Sequence, residues 1–269
     1  MISFVSAISS PGPGGLPIFL SGARPWSVLR ICPVPVCRNL MSDSSSRTRR
    51  VAVFSDFDGT IAHPDTINLL AETFGGVEFR RDIGGKIASG EISLRDGIAA
   101  EVATIRGSLD QVLDFLRQRV EIDESFPPFV QWCRRREIPL TVLSAGIKDV
   151  IERLLAPYRL DHVKLLANPL EIIDHRWTLR FLDDTPWGHD KAAALVRARS
   201  AGYATAFLGD GLSDLRAADQ ADLVFARSRL AKLCRQKRLP FFPLEDFSTV
   251  GATITRHLIQ GNGIGSPRP

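Results

Sequence analysis

The alternation of apolar and polar positions changes in kind along these 269 residues. Residues 1–48 follow neither a two-residue nor a 3.6-residue period and are rich in Pro, Gly and Ser, a composition that builds no packed core. At Val51 an apolar run begins, Val51 to Phe54, and ends abruptly in turn chemistry. That is the pattern of a strand buried on both faces of a parallel sheet. From about Asp65 to Arg119 apolar residues recur at helical spacing, as in Ile67-Asn68-Leu69-Leu70-Ala71-Glu72. Gly75-Gly76 and Gly84-Gly85 are read as breaks that cut this stretch into short helices. It is too long for an ordinary βα connection of ~2–6 residues, so an inserted helical subdomain over the strand tips is expected.

Strand and helix patterns then alternate. Helices are expected over Pro127–Arg136, Ile147–Leu155, His189–Ala201 and Ser213–Ala218, and strands over Leu140–Leu143, His162–Leu166, Tyr203–Leu208 and Leu223–Ala226. A hairpin is expected over 170–182, and two amphipathic helices, about 228–237 and 245–258, close the pattern. Such alternation predicts an α/β fold with a Rossmann-like, doubly wound parallel sheet and right-handed crossovers. The expected division is an N-terminal extension over 1–48, a core over 49–62 and 122–258, a helical cap over 63–121, and a disordered tail over 259–269.

Composition narrows the function classes. Apolar content of 44% and charged content of 24% are ordinary for a globular protein. The net charge is +4, but residues 1–42 contain no acid and carry Arg24, Arg30 and Arg38. The body is therefore near neutral and offers no basic stripe for nucleic acid, and no run approaches the ~18 apolar residues of a membrane span. Four cysteines, Cys32, Cys37, Cys133 and Cys234, form no C-x-x-C pair. Cys133 and Cys234 read as buried free thiols, which suits a reducing, cytoplasmic setting. Met41, one of two methionines, stands just before the patterned body and is read as the native start. An organellar transit segment within 1–40 is the other reading of the Arg- and Ser-bearing extension.

Candidate chemistry gathers at the carboxyl ends of predicted strands, where open α/β sheets place their ligands. Asp56-Phe57-Asp58-Gly59-Thr60 puts two carboxylates at one strand tip. Like charges that close need a hard cation, or a division of labour between nucleophile and proton donor. Thr141-Val142-Leu143-Ser144-Ala145-Gly146 ends a strand in a hydroxyl and small residues. The Ser144 hydroxyl and the N–H groups of Ala145 and Gly146 are candidates to cradle a phosphate oxygen, although a helix-capping serine would look the same. Lys191 opens a helix, where a compact cation suits phosphate and a nucleophilic carboxylate. Gly209-Asp210-Gly211-Leu212-Ser213-Asp214 offers oxygen ligands for Mg²⁺.

Taken in order, these four segments resemble the signature of the haloacid dehalogenase-like superfamily of phosphatases: D-x-D-G-T, the strand-end Ser, the Lys and the G-D-x-x-x-D. The resemblance covers roughly residues 51–250. It implies that Asp56 is a nucleophile forming an aspartyl-phosphate and that Asp58 is the proton donor and later the base. It further implies that Thr60, Ser144, Ala145, Gly146 and Lys191 hold phosphate. Asp56, Asp210, Asp214 and the Asp58 carbonyl would hold Mg²⁺, beneath a helical (C1-type) cap. Asp58 argues against dehalogenation, because the superfamily's dehalogenases lack an acid there.

Within the superfamily the chain resembles the branch of phosphoserine phosphatase and the methionine-salvage enol-phosphate phosphatase. Gly90-Glu91-Ile92-Ser93-Leu94-Arg95-Asp96-Gly97 and Ala221–Arg227 resemble the latter. Asp65 occupies the place of a substrate-reading cap acid, while Ile98-Ala99-Ala100-Glu101 lacks the arginine that phosphoserine phosphatases carry. The stretch Asp183–Gly188 departs from the salvage pattern before the lysine. The expected function is hydrolysis of a small phosphorylated metabolite, the salvage enol phosphate first and phosphoserine second, with no nucleic-acid or membrane partner and a homodimer left open. A phosphomutase and a catalytically idle binding protein on the same fold are the competing readings.

Overall fold

The computed structural model describes residues 49–160, 162–173 and 176–260. The expectations for 1–48 and for 261–269 fall outside the described residues.

In chain order the elements are β1 (Val51–Ser55), β2 (Ala62–His63), α1 (Thr66–Gly75), α2 (Val77–Ser89), α3 (Leu94–Val102), α4 (Leu109–Arg117), β3 (Glu121–Ile122), α5 (Phe126–Arg135), β4 (Leu140–Ile147) and α6 (Lys148–Leu155). Then follow β5 (Lys164–Asn168), β6 (Leu170–Ile173), β7 (Arg176–Leu179), α7 (Lys191–Ser200), β8 (Ala204–Gly209), α8 (Leu215–Gln220), β9 (Leu223–Ala226), α9 (Ser228–Lys237), β10 (Phe242–Pro243) and α10 (Val250–Ile254). Six strands form one parallel sheet in the order β10-β9-β8-β1-β4-β5. This is the doubly wound α/β architecture that the alternating pattern predicts.

Both faces of the sheet are covered, which is why β1 reads as a continuous apolar run. Val51 and Val53 pack on one face with Leu140, Val142, Ala206 and Phe225. Ala52 and Phe54 pack on the other with Leu143, Phe207, Val224 and Leu230. Cys133 and Cys234 lie in these two cores as free thiols, and burial pushes them up to about 12 and about 11 respectively. Among the described residues no helix is long and apolar enough to cross a membrane.

Helices α1 to α4 stand between β2 and β3, which pair antiparallel (Ala62 with Ile122, His63 with Glu121) and close the neck of the insertion. Gly75-Gly76 does end a helix: Gly76 adopts φ 91° between α1 and α2. Gly84-Gly85 does not, because α2 runs through both to Ser89 and stops at Gly90 in the left-handed conformation. Interior glycine costs a helix about 1 kcal/mol without requiring a break. At Gly84 the missing side chain has a use, since a Cβ there would lie 2.7 Å from Arg80 Nη1.

Three further differences concern boundaries. β4 extends to Ile147 beyond the expected Leu143. The last helix starts at Val250 and continues to Ile259 through a wider π-type turn, past the expected start of the tail. The sixth strand, β10, was not expected; it has only two residues, too few for a periodic signal.

Candidate active site

Register places the chemistry. Ser55, the last residue of β1, lies opposite Val142 of β4 and Leu208 of β8. Asp56-Phe57-Asp58 and Asp210–Asp214, which follow β1 and β8, and Ser144-Ala145-Gly146, the irregular last part of β4, therefore lie side by side at one edge of the sheet. Phe57 is fully buried, and its carbonyl accepts the N–H groups of Thr60, Ile61 and Ala62 in a tight turn. With Phe57 turned into the core, its two neighbours both reach a common cavity of about 320 Å³, lined also by Asp65, Ser144, Lys191 and Asp210.

Lys191 is the centre of the charge arrangement. It is buried, and its Nζ donates to Asp56 Oδ1 at 2.6 Å and Asp214 Oδ1 at 2.7 Å. Asp214 in turn accepts the backbone N–H groups of Asp210 (3.0 Å) and Gly211 (2.9 Å) on its other oxygen. It thus ties the lysine to the loop that carries Asp210. Asp58 accepts from the Thr66 N–H (2.9 Å) and hydroxyl (2.5 Å) through Oδ1, and the Ser144 hydroxyl lies 3.4 Å from Oδ2. Two glycines permit this crowding. A Cβ at Gly59, whose φ is +75°, would land on the Asp210 carboxylate, and one at Gly146 would lie 2.7 Å from Asp58 Oδ2.

Buried Asn168, at the end of β5, holds two of the loops in place. Its Nδ2 donates to the carbonyls of Ala145 (2.8 Å) and Gly188 (2.9 Å), and its Oδ1 accepts from Leu182 N–H (3.0 Å). One amide thereby fixes the Ser144 loop relative to the start of α7, and so relative to Lys191.

Not every expected residue arrives at the cavity as expected. The Thr60 hydroxyl is fully buried, makes no hydrogen bond and lies away from the cavity wall. The Gly146 N–H is already donated to Ser144 Oγ at 2.9 Å, so the loop uses it internally. Asp65 does line the cavity, while its carboxylate caps α1 by accepting the Asn68 N–H at 2.8 Å.

The sequence reading missed Arg80 and Arg229, which line the same cavity, and it noted Glu101 only as the absence of an arginine. The helical period held the missing signal. Arg80, Gly84 and Ile87 fall at i, i+4 and i+7 on α2, as do Leu94, Ile98 and Glu101 on α3, and all six face the cavity. Treating Gly84-Gly85 as a break erased the first of these stripes.

The charges do not balance. Asp56, Asp58, Asp210 and Asp214 surround one lysine, and carboxylate oxygens of Asp56, Asp210 and Asp214 all lie within 4.8 Å of one another. Burial first, then Asp214, push Asp56 well above the ordinary carboxylate range, against the pull of Lys191. Burial and Asp214 push Asp210 up to about 7, and burial and Asp58 push Asp65 up to about 8. An oxygen-only donor set with uncompensated negative charge fits a hard divalent cation.

These shifts carry a pH signature. Folded-state values near 7 and 8 lie above the unfolded value of about 4, so the folded metal-free protein binds protons more tightly than the unfolded chain. The contribution of Asp210 and Asp65 to stability should therefore be lost as pH rises from about 4 to about 8, most cleanly between about 6.5 and about 8. Burial lowers His63 and His189, which favours stability as pH rises but acts mainly below about 6.5. Urea unfolding in EDTA at several pH values should show the midpoint falling, with added Mg²⁺ opposing the fall; a rising midpoint would contradict the charge arrangement.

Comparison with known proteins agrees with this geometry. The family model described as haloacid dehalogenase-like hydrolase matches residues 53–219. The chain is 31% identical to Pdp3-interacting factor 1 of Schizosaccharomyces pombe, over 76% of this chain and 95% of that one. It is 26% identical to the polyol phosphate phosphatase of Saccharomyces cerevisiae over 78% and 94%. It is 30% identical to the 2-hydroxy-3-keto-5-methylthiopentenyl-1-phosphate phosphatase of Brevibacillus brevis over 76% and 94%. In fold it is similar to a phosphoserine phosphatase solved as a phospho-aspartyl intermediate analogue, with a TM-score of 0.59 at 18% identity, covering 78% of this chain and 99% of that one. The chain belongs to the haloacid dehalogenase-like hydrolase family, among its phosphatases.

Proposed function

We propose that this protein is a Mg²⁺-dependent phosphomonoesterase that hydrolyses a small phosphorylated metabolite through a phosphoenzyme on Asp56. The observation that carries the reading is the Lys191 ammonium, 2.6 Å from Asp56 and 2.7 Å from Asp214, beside Asp58 in the same cavity.

Asp56 attacks phosphorus, and as that bond forms the bond from phosphorus to the leaving alcohol oxygen breaks. Burial raises Asp58, against its hydrogen bonds from Thr66, which suits a carboxyl that holds a proton. Because Thr66 occupies Oδ1 twice, Oδ2 carries that proton to the leaving oxygen. Asp58 then takes a proton from water as that water attacks the Asp56 phosphate; the bond from phosphorus to Asp56 breaks, inorganic phosphate leaves, Asp56 returns to carboxylate and Asp58 to its protonated form. Lys191, the Ser144 hydroxyl and the Ala145 N–H hold phosphate oxygens as negative charge spreads over them. Asp56 and Asp210 would hold Mg²⁺ with the Asp58 carbonyl, and Asp214 positions Lys191 beside them. Bound there, the ion would neutralise phosphate charge and favour ionised Asp56. Helices α1 to α4 form a cap that covers the cavity and reads the leaving group.

For substrate, the salvage enol phosphate is the first choice, on the relation to the Brevibacillus brevis enzyme and the cap segment Gly90–Gly97. Phosphoserine is the second. The protein is placed in the cytoplasm, with no nucleic-acid or membrane partner. Phosphate release from a panel containing both esters, with Mg²⁺ and with EDTA, tests the reading. The expected result is metal-dependent release; a folded protein that releases none from any ester, aryl phosphates included, is not a phosphomonoesterase.

A further inference from the structure

Two segments that the phosphate chemistry leaves unused meet in the structure. One is the start of α3, Leu94-Arg95-Asp96; the other is the loop Asp183–Gly188, which leads from β7 towards Lys191. Arg95 joins them. Its Nη1 donates to the Asp183 carbonyl at 2.8 Å, its backbone N–H donates to the Pro186 carbonyl at 3.0 Å, and its guanidinium lies over the Phe181 ring at 4.6 Å. The Asp184 carboxylate is 3.3 Å from the same Nη1 but fully exposed, so that ion pair adds little.

The loop is held at both ends by Asn168, which bonds the Leu182 N–H and the Gly188 carbonyl. Among the described residues, the hydrogen bonds that reach residues 183–187 from outside this loop all come from Arg95. Within the loop, the Asp183 carboxylate accepts the Asp190 N–H at 2.8 Å and the Thr185 N–H at 3.0 Å. Asp190 caps α7 by accepting the Ala193 N–H, and Lys191 is the first residue of that helix. Gly188, at φ +75°, lets α3 come close, since a Cβ there would lie 3.1 Å from Ile98 Cδ1. Arg95 is thus one hydrogen bond from Asp183, and Asp183 is one hydrogen bond from the residue before Lys191.

We propose that Arg95 is a positioning residue: through the Asp183 turn it sets the start of α7, and with it the place of the Lys191 ammonium beside Asp56. The inference rests on the phosphomonoesterase reading. A lysine that stabilises charge on a phosphoryl group acts only from the right place, and a displacement of about 1 Å can cost about 10²-fold in rate. The planar guanidinium lets one side chain grip a carbonyl and stack on a ring together. This path ends at the phosphate, so breaking it costs every ester alike. A merely structural role would act through Leu94, Ile98 and Glu101, the cavity-lining residues of α3, and would depend on the leaving group.

The test uses Arg95→Met, Asp183→Ala and the double variant on p-nitrophenyl phosphate and on the metabolite ester that the native protein hydrolyses fastest. Asp183→Ala keeps the carbonyl that Arg95 grips and removes the carboxylate that holds Asp190. Arg95→Met should lower kcat/KM at least about fivefold, by factors that agree within about twofold between the esters. Inhibition by inorganic phosphate, which has no leaving group, should weaken to a similar extent. Asp183→Ala should act in the same way, and the double variant should fall no more than about twofold below the worse single variant. Losses that multiply in the double variant, that differ more widely between esters, or that leave phosphate inhibition unchanged overturn the inference and leave Arg95 a structural part of the cap. A smaller loss in folded Arg95→Met overturns it too. If urea unfolding shows that Arg95→Met does not fold, Arg95→Gln, which still fills the space over Phe181, runs the same cycle. No release from any ester by the native protein with Mg²⁺ removes the phosphomonoesterase reading and this inference together, whereas native release without the Arg95 effect removes only the latter.

Discussion

Asp56→Asn should lower turnover by at least about 10³-fold while the protein stays folded. An amide oxygen is a poor nucleophile, and no covalent phosphoenzyme can form through it. Folding should survive because asparagine has nearly the same shape and still presents an oxygen to Lys191, 2.6 Å away in the native chain. The substitution also removes one charge from a crowded set in which burial already pushes Asp56 well above the ordinary range. Urea unfolding should therefore show a metal-free variant at least as stable as the native protein. Kinetics of phosphate release, together with acid quenching and a search for a phosphate mass on the peptide bearing Asp56, measures both halves. A folded variant that keeps a tenth of native activity would remove the nucleophile assignment.

Lys191→Met should be the more damaging change to stability. Methionine fills similar volume without charge and strands two buried carboxylates, Asp56 and Asp214, that now share one ammonium at 2.6 and 2.7 Å. Breaking a buried ion pair from one side costs about 3–5 kcal/mol, a large part of the ~5–15 kcal/mol that holds a typical domain together. The denaturant midpoint should fall with little change in slope, and activity should be lost with it. Adding Asp56→Asn to the same chain removes one of the stranded charges, so the double variant should recover part of the lost stability. Additive effects in the double variant would contradict the coupling. A single variant within about 1 kcal/mol of native would show that Lys191 does not hold the site together.

The two substitutions separate what Lys191 does for the fold from what Asp56 does for the chemistry, and they expose how unevenly the sequence revealed each. Asp56, Asp58, Ser144, Lys191, Asp210 and Asp214 were readable because each stands beside an apolar strand pattern or opens a helix. Parallel strands in register then bring their ends together without further information. The roles of Thr60 and Gly146 were less readable. Their neighbours in sequence line the cavity, but the turn around Phe57 buries the Thr60 hydroxyl, and Ser144 takes the Gly146 N–H. A one-residue rotation of a tight turn decides such outcomes, and residue type does not encode it.

The wall that α2 and α3 give the cavity was the least readable part. Arg80 and Glu101 belong to different helices, 21 positions apart, and become partners only when α2 packs on α3. Asn168 looked like the end of an ordinary strand, yet it joins the carbonyls of Ala145 and Gly188 from segments about 20 residues away on either side. By itself the sequence determined five of the six strands of the sheet, the segments that carry its chemistry and the family, because a two-sided buried strand and a carboxylate at its tip are local patterns set by period and composition. Tertiary structure alone decided which polar atoms are left without partners, since whether Glu101 Oε1 receives a hydrogen bond depends on where the Arg80 Nε–H points, and packing between helices sets that direction.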